Sequence, residues 1–251
     1  MKKKYAILGD IHDNIDALDV ILADAKGQGV TDYACVGDII GYNATPHGEC
    51  LDRIRELGCV AVRGNHEYYN NNPASEDGHT QKAIDGIRWT RKQLNAEQLQ
   101  WLCDLPLQRN VGDDFMMIHC TLDNPEHNRD NEASYVRDIP RAEASLANQK
   151  AFLCFHGHTH SPAVFEKQGE MDAVKSSPCT ITLHLGRKYF VNPGSVGQPR
   201  DGNPRASYCI YTPQDRLIEF RRLAYPIETA QERIMKAGLG ETVAERLAKG
   251  K

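Results

Sequence analysis

An α/β fold is predicted by three observations. Strand-length apolar runs alternate with helix-spaced apolar residues in the first quarter of the chain, each of these runs ends in a Gly-Asp or Gly-Asn loop, and the second half breaks into short strand-like runs joined by tight turns. Tyr5-Ala6-Ile7-Leu8 reads as a strand closed by Gly9-Asp10, and Ile15, Leu18, Ile21, Leu22 and Ala25 then recur at helical spacing. Tyr33 to Val36 reads as a second strand. Thr45 and Pro46 offer an N-cap and an N1 proline to a helix whose face carries Leu51, Ile54 and Leu57, with Gly58 as its stop. Cys59 to Val62 follows as a third strand. Such alternation implies right-handed crossovers and a parallel sheet, with ligands bound at the loops beyond the carboxyl ends of the strands. Between Gln81 and Cys103 the spacing of Ile84, Ile87, Leu94, Leu99 and Leu102 predicts two helices, the second capped by Asn95 and ended by Pro106. The stretch from Asn70 to Thr80 carries no period and reads as a mobile loop, placed beside a motif where it would serve as a lid. Leu107 to Val111 and Phe115 to His119, around Gly112-Asp113-Asp114, predict a hairpin with which antiparallel pairing begins. Pro140 to Asn148 reads as a short helix and Ala151 to Phe155 as a buried strand. Strand-like runs follow at Ala163 to Glu166, Thr180 to Leu185, Lys188 to Val191, Ser207 to Thr212 and Leu217 to Arg222. The tail from Pro226 to Lys249 carries two amphipathic helices broken at Gly238 to Gly240. They are expected to pack on their own domain, a homo-oligomer contact being the alternative use. With no repeat or linker visible, the expectation is one domain over residues 1–251.

Composition narrows the function classes. The 251 residues include 34 acidic and 30 Lys or Arg side chains, a formal charge of -4, with 40% hydrophobic and 25% charged residues. That balance is globular, and it lacks the basic excess needed to hold extended nucleic acid by counterion release. The opening Met1-Lys2-Lys3-Lys4 resembles a signal-peptide start, but Asp10 cuts the apolar run that follows. No run reaches membrane-spanning length, so a cytoplasmic protein with no membrane partner is expected. The eight cysteines form no C-x-x-C pair, which argues against structural zinc. Cys35, Cys59, Cys154 and Cys209 sit in apolar runs and read as small core hydrophobes. Cys120 follows His119 and lies near whatever that histidine does.

The chemistry collects in the loops after the apolar runs. Gly9-Asp10-Ile11-His12 places a carboxylate and an imidazole two residues apart, on the same side of an extended segment and at metal-ligand spacing. A lone D-x-H is more often a turn aspartate beside a surface histidine. The second run ends in Gly37-Asp38, the third in Gly64-Asn65-His66-Glu67, and glycine before each ligand lets the backbone turn sharply and an ion approach. Later, Phe115 to Ile118 ends in His119, and Phe152 to Phe155 leads into His156-Gly157-His158-Thr159-His160. Five histidines and two aspartates at strand ends are hard to explain as packing, because buried unpaired polar groups are costly. Imidazole, carboxylate and amide together suit a transition ion better than calcium.

In this order and spacing the blocks D-x-H, G-D, G-N-H-E, an isolated His and G-H-x-H resemble the calcineurin-like metallophosphoesterases. Asn192 to Arg200 also resembles a loop of the small prokaryotic-type members. The resemblance implies a four-layer αββα sandwich of two central mixed sheets, with a dinuclear metal site at the strand ends. It implies that Asp10, His12, Asp38 and His160 hold one divalent transition ion (Mn, Fe, Zn, Ni or Co), and that Asp38, Asn65, His119 and His158 hold the other. It further implies a water shared by ions about 3.5–4 Å apart and aimed at phosphorus as hydroxide. His66 would be the general acid at the leaving oxygen. The expected substrate is a small phosphomonoester, phosphodiester or dinucleoside polyphosphate. Phosphoproteins are not expected, because the G-D-x-x-D-R-G block of the phosphoprotein phosphatases is replaced by Gly37-Asp38-Ile39-Ile40-Gly41-Tyr42-Asn43. The family often has Gly after the isolated His, where Cys120 stands here. Arg63, Arg200 and Arg205 are candidates for gripping phosphate, with surface solvation an equal reading of Arg205. Tyr42, Tyr68 and Tyr69 read as rim packing or as a stacking surface for a base, and His156 as a core or supporting residue. His47, His79, His127 and His184 read as ordinary. The competing reading is a non-catalytic scaffold of the same fold. A metal-dependent amidase or lactamase would want its H-x-H block early in the chain, whereas here it comes late.

Overall fold

The structure, a computed structural model, describes residues 2–73, 80–123, 134–177 and 179–251. His79, His127 and most of the loop expected before Thr80 lie outside the described residues. The first half runs β1 (Tyr5–Leu8), α1 (Ile15–Gly27), β2 (Asp32–Cys35), α2 (Glu49–Glu56), β3 (Val60–Ala61), α3 (Asn65–Asn71), α4 (Gln81–Gln93) and α5 (Ala96–Cys103). The second half runs β4 (Gln108–Val111), β5 (Phe115–Ile118), α6 (Ile139–Asn148), β6 (Leu153–Phe155), β7 (Ala163–Gln168), β8 (Val174–Ser176), β9 (Thr180–Thr182), β10 (Arg187–Asn192), β11 (Ala206–Thr212), β12 (Leu217–Leu223), α7 (Ile227–Lys236) and α8 (Glu241–Lys249). Among the described residues the strands form two six-stranded mixed sheets, ordered β3-β2-β1-β11-β12-β9 and β4-β5-β6-β10-β7-β8.

Alternation of side chains along each strand builds the layers. Tyr5 and Ile7 of β1 face Phe115, Phe155, Val191 and Tyr211 in the core between the sheets, while Ala6 and Leu8 face Leu18, Ile21 and Ile54 of the helices outside. Likewise Leu153 and Phe155 point between the sheets, and Cys154 points out to Ala142 and Leu146 of α6. The edge-on contacts Tyr5–Phe115 and Phe115–Tyr211, with ring centroids 5.0 and 5.9 Å apart, cross from one sheet to the other. The order is helices, sheet, sheet, helix, the last layer being α6 among the described residues, an αββα arrangement as the resemblance implied. The tail packs on the same layer as α1: Ala230, Ile234, Val243 and Leu247 join its core, and Arg233 pairs with Asp16 at 2.9 Å.

Several local expectations are corrected. Thr45 does not cap α2. Its hydroxyl donates to the Asp13 carbonyl and accepts from Ile15 N at 3.3 Å, so it braces the start of α1, and Pro46–Gly48 forms a 3₁₀ turn before Gly48 caps α2. Asn70 and Asn71 belong to α3 instead of a loop. Pairing in the second half is not all antiparallel, since β5, β6 and β10 form a parallel trio that mirrors β1, β2 and β3. Strand β8 was not visible in the sequence because Val174-Lys175-Ser176 is an exposed edge strand with no buried face to leave a pattern.

Candidate metal centre

The two parallel trios point their carboxyl ends at one place. Beyond the last paired residues, backbone hydrogen bonds continue from loop to loop: Asp10 N to Gly37 O at 3.1 Å, His12 N to Asp38 O at 3.0 Å and Asp13 N to Ile39 O at 2.9 Å. Gly157 N to His119 O at 2.8 Å joins the loops after β5 and β6. The loop after β10 closes the ring, with Gly197 N donating to Asp10 O at 3.0 Å and Ser195 Oγ to Asp10 O at 2.7 Å. Side chains distant in sequence are thereby fixed by backbone, which is what a site built to sub-ångström tolerance requires.

The sequence argument placed Asp10 with His12, and His158 with His160, on one side of extended segments. The structure corrects this. Asp10, His12, Asp38, His158 and His160 all have left-handed backbones, with φ between 48° and 68°. Such conformations are disfavoured for residues carrying a Cβ and persist where the surroundings dictate them. Here the zipped loops dictate them.

All seven residues proposed as ligands, with His66, are buried. Potential ligand atoms of Asp10, His12, Asp38 and His160 lie within 4.8 Å of one another. On the other side of Asp38, its Oδ2 lies 3.2 Å from His119 Nε2, and Asn65 Oδ1 lies 3.0 Å from His119 Nε2 and 2.9 Å from His158 Nδ1. Cys120 is buried beside them, its sulfur within 4.8 Å of ring nitrogens of His119 and His158. His156 stacks flat on Phe190 at 4.0 Å and serves the core.

The donor set fits cations. His12 Nδ1 faces Ile40 O at 3.1 Å, and His160 Nδ1 faces Gln198 O at 2.6 Å. A carbonyl only accepts, so each neutral ring carries its proton on Nδ1 and a lone pair on Nε2. Those two Nε2 atoms are 3.0 Å apart, an arrangement that repels until a positive charge lies between them. His119 has Nδ1 on Val36 O at 2.7 Å and Nε2 turned to Asp38 and Asn65 oxygens, all of them acceptors, so this ring is built to donate from both nitrogens when charged. Asp10 Oδ2 is buried without a hydrogen-bond partner. The titration behaviour has the same origin. Burial pushes Asp10 up to about 7 and holds His12 and His160 well below the usual histidine range. Burial opposes charge on Asp38 and His119 as well. Yet positive His119 and His66 hold Asp38 well below the carboxylate range, and Asp38 pushes His119 up to about 9.

Two supporting residues escaped the sequence argument. Glu67 accepts from the backbone N–H groups of Asp38, Ile39, Ile40 and Gly64 at 2.9, 2.8, 3.2 and 2.8 Å, tying the second loop to the start of α3. Glutamate three residues after a helix cap was the available signal. Glu67→Ala leaves those buried donors unpaired, and we expect a loss of about 3 kcal/mol in stability by urea unfolding. An unchanged midpoint would show that water replaces the carboxylate. Gly41 is the second. Its φ is 97°, and a Cβ there would overlap His66 Nδ1. Gly41→Ala is expected to displace the His66 ring and lower kcat about 10²-fold with metal content retained, since small misplacements of catalytic groups are expensive. Gly64 also permits a close approach, because a Cβ there would overlap Asp38 Oδ1.

The other residues singled out fall around this centre. Tyr42 is buried against His12 and His66, with centroids 4.8 and 4.7 Å away. Tyr69 is a core residue and not rim packing, and Tyr68 lies half-buried under Arg63 at 5.6 Å. Arg200 lies over Tyr42 at 5.5 Å. Arg205 is exposed and bonds Asn203, away from the centre. Cys35, Cys59, Cys154 and Cys209 are buried as expected, and burial pushes their thiols up, out of reactive range.

Comparison with known proteins agrees. A model of the calcineurin-like phosphoesterase superfamily domain matches residues 4–216. An uncharacterized protein of Methanocaldococcus jannaschii is 37% identical over 254 residues, covering all of both chains. The crystal structure of a metallophosphoesterase from Sphaerobacter thermophilus matches the whole of both chains with a TM-score of 0.85 and 33% identity. A hypothetical protein from Pyrococcus horikoshii shares the fold, with a TM-score of 0.78 and 18% identity over 99% of this chain and 98% of that one. Two mixed sheets aiming a buried Asp/His cluster at one edge, and a family match running through every block of that cluster, make this chain a member of the calcineurin-like phosphoesterase superfamily, a metallophosphoesterase.

Proposed function

We propose that the protein hydrolyses a small phosphomonoester, phosphodiester or dinucleoside polyphosphate in the cytoplasm. One divalent ion would be held by Asp10, His12, Asp38 and His160, a second by Asp38, Asn65, His119 and His158, and His66 would be the general acid. The observation that carries this reading is the pair of Nε2 lone pairs of His12 and His160, 3.0 Å apart beside Asp38. Bound there, such ions supply neutralising charge for phosphoryl oxygens and lower the pKa of an attacking water. The chain's own residues do the rest. Asp38 Oδ1 accepts from His66 N at 2.9 Å, so the carboxylate shared by both ligand groups also positions the acid. The His66 ring lies against Tyr42 and His12, and its part would be to give a proton to the leaving oxygen. A basic cavity of about 570 Å³ lined by Arg137, Thr159, Ser161, Lys175, Arg200 and Arg222, among others, meets the ligand loop only at Thr159, and none of the proposed ligands lines it.

The scaffold alternative would be favoured by lost ligands or a lost acid, and the sequence has lost none of the residues named for those parts. The test is a phosphate-release assay on metal-stripped protein, over phosphomonoesters, diesters and dinucleoside polyphosphates, each with Mn, Fe, Zn, Ni or Co. We expect no turnover after chelation and recovery with at least one ion. Background rates in every combination would sink the reading.

A further inference from the structure

We infer that Arg200 and Arg246 together bind a second anionic group of the substrate, carried on its leaving group. The preferred substrates are then those whose leaving alcohol or phosphate is itself negatively charged. This deepens the function proposed above and rests on its assignment of His66 as the acid.

The Tyr42 ring is the reference. It lies against His66 and His12, and both guanidinium groups lie over the same ring, Arg200 at 5.5 Å and Arg246 at 6.0 Å from its centroid. The arginines therefore stand one aromatic ring away from the group that protonates the leaving oxygen. Arg200 is anchored to the metal loop by its backbone N–H on His160 O at 3.2 Å, and Nη2 donates to Gln198 Oε1 at 2.9 Å. Its Nε is buried with no hydrogen-bond partner. Arg246 comes from α8, beyond the residues matched by the family model, and its Nε donates to the Lys251 carbonyl at 2.8 Å. Among the described residues neither arginine forms an ion pair, although Arg221, Arg222 and Arg233 each do.

The charge of Asp10 acts on Arg200, but no carboxylate acts on Arg246, so the two guanidinium groups over one ring are short of negative charge that a bound anion would supply. Burial, and then the charge of Arg200, pull Arg246 below the usual guanidinium range. A phosphate or phosphonate accepting from both guanidinium groups would relieve the repulsion, in the planar geometry that suits guanidinium. The carboxylates of the metal centre form no ion pair with these arginines, since Asp38 and Asp10 make their short contacts to His119 and His160, although the charge of Asp10 reaches Arg200.

The test is calorimetric titration of the enzyme, loaded with the ion that gives the highest turnover, with propylphosphonate and with propane-1,3-bisphosphonate. Neither is hydrolysed. Wild type is expected to bind the bisphosphonate at least tenfold more tightly than the monophosphonate, a preference that shrinks with salt. Arg246→Gln should bring the ratio close to one, and Arg246→Lys should leave it intermediate, with metal content and melting temperature recorded for each. Equal ratios in wild type and folded Arg246→Gln would overturn the inference. So would a wild type that turns over esters but binds both phosphonates alike. A wild type that hydrolyses no ester and binds neither phosphonate would instead remove the phosphoesterase reading.

Discussion

Asp38→Asn is expected to empty the centre and lower kcat/KM by about 10³-fold or more, the equivalent of losing several kcal/mol of transition-state stabilisation. One carboxylate oxygen, Oδ2, faces His119 Nε2 at 3.2 Å and His12 Nε2 at 3.7 Å, so both ligand groups depend on it. The amide keeps the shape, removes the charge and turns an N–H₂ donor into a space lined with lone pairs. Metal analysis of the purified variant should find the content reduced well below that of wild type, since either ion would lose its shared anionic ligand. Full metal content with turnover within tenfold of wild type would contradict the bridging role.

His66→Asn is expected to separate chemistry from metal binding. His66 contributes no atom to either ligand group, so metal content should stay at the wild-type level, while kcat falls by about 10² to 10⁴, the usual worth of a general acid. The loss should fall on kcat with KM little changed, as for an interaction made only in the transition state. It should also be smaller for a 4-nitrophenyl ester than for an alkyl ester, because a stable phenolate needs less help from a proton. Equal losses on the two esters would assign His66 a positioning part instead. Unchanged turnover on both would remove it from the mechanism.

The elements legible in the sequence are those with at least one buried face. The first strand ran over Tyr5–Leu8 as expected, and the helix capped by Asn95 begins where its capping box places it. The site residues were legible for a related reason. A metal centre needs particular atoms, and the candidate ligands Asp10, His12, Asp38, Asn65, His119, His158 and His160 stand in recognisable blocks of those residue types. What stayed hidden depends on neighbours far along the chain. Thr45 looked like a helix cap until Asp13 claimed its hydroxyl, and Glu67 looked like a motif letter until three successive N–H groups of another loop converged on it.

The order of the blocks by itself determined the fold family and the identity of the seven candidate ligands, because local spacing and residue type carry that information. Only the tertiary structure decided how those residues are held. Left-handed backbones, and not alternation along an extended segment, aim Asp10, His12, Asp38, His158 and His160 inward, since loop-to-loop hydrogen bonds from both sheets supply the energy that keeps them there. The same holds for Arg246. Nothing in a lone arginine on an amphipathic tail helix marks it, and its place over Tyr42 follows from how α8 packs against the layer that carries the site.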